Sequence, residues 1–583
     1  MITRAHSDLL LLHAPSVYDF RRLSILYGPV SDMVPSSTVF EMYPIGFLTI
    51  LSYLRERGLA VRIVNVALRM MQNRHFDVPA FLARERPRAI GIDLHWLPHA
   101  HGALELARLA KQAHPDVPVI MGGLSATYFD RELIEYPQVD YVLRGDSTEA
   151  PLWQLLQRLP RDGQDLGAIP NLTWKSAGAV HVNPLTFVPR SLDYVDVRPE
   201  WLIDMVLRYR DLRSVLPFRG WWRNPLTMVL PLKGCAYECA TCGSSRTTCS
   251  QLTRRQAPVF RSAQSLVENL RRIAAVSRGP IVLPGDLLQG GEAYVAAVLR
   301  ELRAARLPNE IVFELFDLPP REYLQEIDAA LANWSVEISP ESHDPLVRRA
   351  QQGEPDYDNA QLERFLRETL RLRCHKLDVF FMIGLPQQTY ESVQATVDYC
   401  ESLFQWGDKR LRCFISPMGP FLDPGSRIFE DPARFGYRLF ARTLEEHRQL
   451  LVQPSWEHIL NYETQWMSRR RLVDATYDAA ERLNELKHRY GRLPARRARA
   501  VAKRIVQARA LRQRLCHGSP EDAADAAQLR GEIGRFSLST VCDKRELTWP
   551  HHLLSFRLLG IVRAALAARR AARQACGAAA ADP

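Results

Sequence analysis

Leu232-Lys233-Gly234-Cys235-Ala236-Tyr237-Glu238-Cys239-Ala240-Thr241-Cys242-Gly243 places three cysteines in eight residues, at C-x3-C-x2-C spacing, just after an apolar run at 227–230 that reads as a strand. Three thiolates on one loop can wrap one face of an iron–sulfur cubane, a cluster type held by cysteine thiolates, usually four of them. Three ligands leave one iron open to a chelating molecule. A structural zinc would want paired C-x2-C units and a fourth ligand, and Cys249 stands close enough to keep that alternative open. Cys374, Cys400, Cys413, Cys516, Cys542 and Cys576 form no C-x2-C pair, so buried or free thiols are expected there rather than a second cluster.

Downstream of the cysteines, further strand candidates lie at 281–283, 311–315, 335–338, 378–383 and 412–415, most of them separated by helical patterns. With 227–230 they make six strand–helix units, which suits a partial or full α/β barrel. Upstream, apolar runs at 8–14, 61–66, 89–94, 117–121 and 139–143 alternate with helical patterns. That rhythm predicts a doubly wound, flavodoxin-like parallel sheet with ligand sites at the carboxyl ends of its strands. Residues 161–223 break the rhythm with a small hairpin at 172–174 and 180–182, and read as a connector. After Pro420 the strands are expected to stop. Residues 437–575 are rich in Ala, Arg, Leu and Glu and read as helices broken at Pro454, Pro494 and Pro550, with an Ala-rich tail beyond Gly577 that frays. The expected class is α/β: a doubly wound domain over 1–160, a connector over 161–223, a barrel over 224–436 and a helical C-terminal region over 437–583.

Composition excludes several classes. The 583 residues have room for three to four domains of about 150 residues each. At 46% hydrophobic and 24% charged they are not a disordered chain. Ten cysteines are too few for a disulfide-stapled scaffold. Residues 1–8 are polar and 9–12 too short for the apolar core of a signal peptide, and no apolar run reaches the roughly 18 residues of a membrane span. A cytoplasmic protein is expected. The formal charge of +11 is local: from Arg469 to Arg514 there are fifteen Lys or Arg and four Asp or Glu, which accounts for all of it. Such a segment meets phosphates or an anionic membrane, or is simply a solvated helix face. Residues 549–574 mix Leu553, Leu554, Phe556, Leu558, Leu559, Ile561 and Val562 with Arg557, Arg563, Arg569, Arg570 and Arg573. A helix of that kind either packs on the barrel or lies at a membrane surface, which points to a small-molecule or lipid substrate. Nucleic acid is not expected as a partner, because no RNA-binding domain or aromatic-interleaved basic patch is present.

The C-x3-C-x2-C spacing resembles the signature of the radical SAM superfamily. The resemblance implies that Cys235, Cys239 and Cys242 hold a 4Fe–4S cluster whose fourth iron is chelated by S-adenosyl-L-methionine (SAM). An electron, from a donor such as ferredoxin or flavodoxin, then cleaves SAM to a 5′-deoxyadenosyl radical. The superfamily commonly has an aromatic residue just before the third cysteine; here that residue is Thr241, and Tyr237 supplies the aromatic of a common variant. Pro284-Gly285-Asp286 ends the second barrel strand, so Asp286 is implied as the acceptor of the SAM amino group. It ranks ahead of the literal Gly290-Gly291-Glu292, which begins too far past the strand. Glu341 and Ser342, after the fourth strand, are implied at the SAM ribose or carboxylate. Gly384, in Phe381-Met382-Ile383-Gly384-Leu385-Pro386, is implied beside the adenine.

A doubly wound domain ahead of such a barrel resembles the cobalamin-binding domain of the cobalamin-dependent radical SAM class. The implied cofactor contacts are Gly46 in Pro44-x-Gly46, then Gly122, Gly123 and Ser125 after the fourth strand, and Gly145 after the fifth. A Gly-Gly turn would let the backbone approach the cofactor's nucleotide tail. Asp93-x-His95 resembles the opening of D-x-H-x-x-G, whose histidine ligates cobalt in other cobalamin enzymes. Pro98 replaces the glycine and the motif follows the third strand rather than the first, so His95 is expected to contact the tail or to pack. Tyr18, Asp19 and Glu41 are candidates for the cobalamin lower face. The layout over about 8–440, with phrases such as Pro420-Phe421-Leu422-Asp423-Pro424-Gly425-Ser426, resembles an uncharacterised cobalamin-binding/radical SAM family. The implied activity is C-methylation of an unactivated carbon through the deoxyadenosyl radical and methylcobalamin. Non-methylating radical chemistry and a sensor without turnover remain as alternatives.

Overall fold

β1 (Leu9–His13), β2 (Val61–Asn65), β3 (Ile90–Asp93), β4 (Val119–Gly122) and β5 (Tyr141–Leu143) form a parallel sheet in the order β2-β1-β3-β4-β5. This is the flavodoxin order, and its direction reverses between β1 and β3, where such sheets bind ligands. β1 reads Leu-Leu-Leu-Leu-His with every residue buried, as a central strand covered on both faces requires. Leu10 and Leu12 join one core and Leu9 and Leu11 the other. The computed structural model describes residues 6–29, 36–159, 165–353, 355–517, 528–529, 531–533, 542–549 and 555–579. The hairpin β6 (Leu172–Ser176) and β7 (Ala179–Val182) adds antiparallel to β5 and so extends the first sheet.

β8 (Thr227–Met228) opens the second sheet. β9 (Leu232–Lys233) and β10 (Val259–Phe260) pair antiparallel, with the cysteine loop between them. β11 (Ile281–Leu283), β12 (Ile311–Leu315), β13 (Trp334–Glu341), β14 (Leu377–Ile383) and β15 (Leu411–Pro417) then follow β8 in sequence order, all parallel. β8 and β15 do not pair among the described residues, so the barrel is partial. Register sets Glu314, Glu337, Asp378 and Arg412 side by side on four strands. Their strand neighbours Phe313, Val336, Val379 and Cys413 pack in the main core with the flanking helices, so the charged row faces the barrel interior. Burial pushes the Glu337 and Asp378 carboxyls up, and Lys376 Nζ lies 2.6 Å from Asp378 and over the Trp549 ring.

Strands do not stop at Pro420: β16 (Tyr437–Leu439) pairs antiparallel with β17 (Tyr462–Thr464). Three-residue strands show too little alternation to be read, and their pairing spans the helix Leu444–Leu450. The rest of the C-terminal region is helical, as expected, in Arg469–Arg489, Ala495–His517 and Leu558–Ala579. The tail beyond residue 579, Leu553, Leu554 and Pro550 lie outside the described residues, as do the side chains of Arg573 and Cys576.

Much of the basic segment is spent inside the protein. Arg512 pairs with Glu457 and Asp474, Arg509 with Asp478, Arg497 with Asp543 and Lys487 with Glu546, and Arg492 donates to the carbonyls of Asp408 and Leu411.

The first sheet is docked firmly on the segment that runs from Phe421 to Asn461. Tyr128 and Tyr136 donate to Glu430 and Glu445, and Arg448 pairs with Glu105. His447 is buried among Phe129, Phe421 and Phe429. Its Nδ1 donates to the Thr443 carbonyl and its Nε2 accepts from Asn461, so the ring is neutral, and burial pushes its pKa down to about 4. A histidine whose folded pKa is depressed costs nothing above its unfolded value near 6.5. Below that, the unfolded chain takes up a proton that the folded one refuses, until about pH 4. The denaturation midpoint is therefore expected to fall from pH 6.5 to 4, and His447→Gln to flatten that slope. An unchanged slope in the variant would contradict this role.

Candidate cofactor-binding site

The cysteine loop begins at Gly234, whose φ of +87° and whose closeness to Arg255 (a Cβ would lie 2.7 Å from Arg255 Cδ) both demand glycine. Cys235, Cys239 and Cys242 are half-buried. Burial pushes the Cys235 and Cys242 thiols up. The loop is fastened on its far side by the Pro420–Ser426 phrase and by Ile428. Gly243 N–H donates to Asp423, Thr248 to the Gly425 carbonyl, and Ile428 N–H to the Ala240 carbonyl. Gln351, fully buried, accepts Ala240 N–H on its carbonyl and the Thr241 hydroxyl on its side chain, and donates to Glu341. Cys249 is a packed thiol donating to the Ser244 carbonyl, pushed up to about 12 by burial.

The strand ends supply polar groups around this loop. Asp286 is fully buried at the end of β11 and accepts the N–H groups of Leu288, Phe316 and Asp317. Burial pushes its carboxyl up despite those donors. Glu292 is exposed in the first turn of the helix Glu292–Ala305. Gln289, which stands in none of the motifs, accepts Ala236 N–H at 2.7 Å, and its buried amide lies against the Cys235 sulfur. Tyr237 meets Phe316 edge-on, 6.3 Å between centroids, and burial raises its phenol. Glu341 sits at φ +62° where β13 loses register with β14. Ser342 is buried and its hydroxyl accepts Asp344 N–H. Gly384 is held by Gln388 on its N–H and by the Tyr437 hydroxyl on its carbonyl.

At the first sheet, His13 and Asp93 form a buried pair at 2.9 Å across the ends of β1 and β3. Burial alone would lower His13, but Asp93 overrules it and holds the imidazole above its ordinary value. His13 and His99 both donate Nε2–H to the Phe40 carbonyl. His95 is half-buried and kept neutral by burial. Its carbonyl accepts both the N–H and the hydroxyl of Ser125. A Cβ on Gly123 would lie 2.6 Å from His95 Cα, so the chain's own crossing requires that glycine. A Cβ on Gly122 would lie 3.4 Å from the Leu143 carbonyl oxygen, and one on Gly46 would face open space. Gly145 N–H donates to Thr127, whose hydroxyl donates to the Gly123 carbonyl, which ties the two glycine loops together. Asp19 is paired with Arg21, and Glu41 accepts the N–H and hydroxyl of Ser37.

The two halves meet at Asp146. Its carboxylate takes both Nε and Nη2 of Arg255, and its carbonyl accepts Lys233 Nζ at 2.7 Å. Burial would raise Asp146, but the bond and charge of Arg255 and the charge of Lys233 hold it below the usual carboxylate range. The glycine loop after β5 is thus clamped to the residues immediately before Cys235.

Residues 33–152 match the B12 binding domain family. The structure of TsrM from Kitasatospora setae, a radical S-adenosylmethionine methyltransferase with cobalamin and a [4Fe-4S] cluster bound, superposes with a TM-score of 0.58 at 17% identity. The match covers 91% of this chain and 99% of that one. OxsB, a cobalamin-dependent S-adenosylmethionine radical enzyme, gives 0.52 at 14% identity, covering 98% and 80%. The chain has the fold of a cobalamin-dependent radical SAM enzyme. In sequence it is similar to the hopanoid C-3 methylase of Methylococcus capsulatus, 24% identical over 42% of each chain. It is also similar to the 2-(S-pantetheinyl)-carbapenam-3-carboxylate methyltransferase of Streptantibioticus cattleyicolor, 26% identical over 64% of this chain and 53% of that one. The chain therefore spans about half the length of the curated relatives it matches.

The residues present fit the cofactors of that fold. A cluster binds each thiolate to a different iron, so its cysteines need not converge on one point. Among the described residues no three His, Cys, Asp or Glu side chains do converge as a single zinc would require. A bound metal would deprotonate these thiols outright, and three cysteine thiolates on one loop are the donor type of an iron–sulfur cluster. The Gln289 amide lies against the Cys235 sulfur and so sits at the edge of the place a cluster would fill. At the β1/β3 switch point, Trp96 is 47% exposed beside half-buried His95 and offers a flat apolar contact to a corrin or its tail. Asp146→Asn keeps the shape of the clamp and removes its charge, leaving Arg255, only 2% exposed, unpaired. The expected loss is about 3–5 kcal/mol in denaturant titration, with Arg255→Met similar and the Asp146→Leu/Arg255→Met pair milder than the sum. Strictly additive losses would contradict the clamp.

Proposed function

We propose that this protein is a cobalamin-dependent radical SAM C-methyltransferase acting on an unactivated carbon of a small molecule. The observation that carries the reading is the Asp146 clamp, which seats the three-cysteine loop against the glycine loop of the B12-binding domain. When bound, the cluster with SAM supplies a 5′-deoxyadenosyl radical for hydrogen abstraction and the cobalamin supplies a transferable methyl group. Cys235, Cys239 and Cys242 would hold the cluster, which an electron donor of ferredoxin or flavodoxin type would reduce. Gln289, beside Cys235, would border the amino-acid end of SAM. Asp286, oriented by three backbone N–H groups, would receive the SAM amino group, and Tyr237, packed edge-on against Phe316, would wall that side of the site. Glu341, steered by Gln351, and Ser342 and Gly384 at the ends of β13 and β14 line the nucleoside side. Gly46, Gly122, Gly123, Ser125, Gly145 and His95 would flank the corrin tail. The relatives named above as methyltransferases, one of them for the C-3 position of a hopanoid, support methyl transfer over other radical chemistry.

The test is anaerobic incubation of the reconstituted protein with SAM and a strong reductant. Both 5′-deoxyadenosine and S-adenosylhomocysteine are expected, and Cys239→Ala should abolish the deoxyadenosine. Deoxyadenosine without homocysteine would replace this reading with a non-methylating radical enzyme. Neither product, from protein carrying both cofactors, would leave a sensor.

A further inference from the structure

The helix Leu558–Ala579 is built inside out. Its inner side, packed on the helices Pro199–Tyr209 and Ala263–Val276, carries Gly560, Ala564, Ala568 and half-buried Ile561. Ala568 is fully buried, and Gly560 has no room for a Cβ, which would lie 1.8 Å from the Ala275 carbonyl oxygen. Four of its large apolar residues point the other way. Leu558 and Leu559 are each 76% exposed, Val562 56% and Leu566 50%. At 3.6 residues per turn, Leu558, Val562 and Leu566 stack at i, i+4 and i+8 with Leu559 beside them. Arg569 falls within that stripe, and Arg563 and Arg570 run along its edge, all exposed. Trp222, 45% exposed, meets Phe556 edge-on at 5.3 Å and carries the apolar surface past the start of the helix, next to exposed Arg223. Residues 555–579 contain five arginines and no acidic residue.

We propose that this face docks on the surface of an anionic phospholipid bilayer, with Leu558, Leu559, Val562 and Leu566 entering the acyl boundary and Arg563, Arg569 and Arg570 meeting lipid phosphates. Apolar contiguity with flanking arginines is the pattern of an interfacial helix. A single large apolar face of this kind on a water-exposed helix marks an interaction site. Charge selects the occupant: a second copy would set these arginines against one another with no carboxylate to receive them, whereas anionic headgroups complement every one of them. No helix among the described residues is long and apolar enough to cross a membrane, so the contact is peripheral. The proposal goes beyond the methyltransferase reading and does not depend on it.

The experiment is co-sedimentation of the full-length protein with vesicles of phosphatidylcholine alone or with added phosphatidylglycerol. Binding to the anionic vesicles is expected to be at least about tenfold tighter than to the neutral ones and to weaken with salt. Val562→Glu/Leu566→Glu, at positions already facing water, should abolish binding while leaving helix content by circular dichroism and cluster content unchanged. Arg563→Gln/Arg569→Gln/Arg570→Gln should remove the preference for anionic lipid. Absence of binding to anionic vesicles, equal binding by the glutamate variant, or a dimer in sedimentation equilibrium that the glutamate variant breaks would overturn the proposal.

Discussion

Asp146 joins the loop after β5 of the first sheet directly to the residues that open the cysteine loop. A guanidinium with 2% exposure cannot stay in the interior without a carboxylate, and Arg255 finds it on the loop that follows β5, not in its own barrel. Arg255 in turn underlies Gly234, where a side chain would collide with it, so the first residue of the cysteine loop is set by an arginine that is set by the first domain. Lys233 repeats the connection one residue earlier through the Asp146 carbonyl. The requirement to neutralise one buried arginine thus brings the glycine loop after β5 and the cysteine loop into register.

The same rule governs charge elsewhere. A segment with an excess of +11 looks from its composition like a surface for phosphates, yet Arg497, Arg509 and Arg512 are taken up by carboxylates, two of them within the segment's own helix Arg469–Arg489. A further cationic surface lies in the helix Leu558–Ala579, whose arginines have no acidic neighbours in sequence. Within the barrel, register lines up Glu314, Glu337 and Asp378, and Lys376 with Arg412 on the next strand balances most of that charge.

Long apolar strands and cysteine spacing were legible in the sequence because each is a local pattern with one dominant cause. Leu9–Leu12 cannot be anything but buried, and the flavodoxin order agrees with the strand–helix alternation. The short pair β16–β17 was not legible, because three residues carry no period. Nor was the attachment of the hairpin β6–β7 to β5, which depends on an edge the sequence does not display. Within the site, the strand ends are marked by position, but their partners are not. Gln289, Gln351 and Arg255 lie outside every motif, and only the fold brings them to the cysteine loop. Gly123 reads in sequence as room for a cofactor; its missing Cβ is demanded by the neighbouring His95 backbone, a contact between loops after β3 and β4 that no local pattern announces.

The central claim is that one chain holds a three-cysteine cluster and a cobalamin at the two sides of the Asp146 clamp. Anaerobic reconstitution with iron, sulfide and hydroxocobalamin, and then elemental analysis, tests it most directly. The account predicts about four irons and four sulfides with one cobalt per chain. It also predicts that a Cys235→Ala/Cys239→Ala/Cys242→Ala variant keeps its cobalt and loses its iron. Protein that takes up iron but no cobalt, or a triple variant that retains its iron, would contradict it.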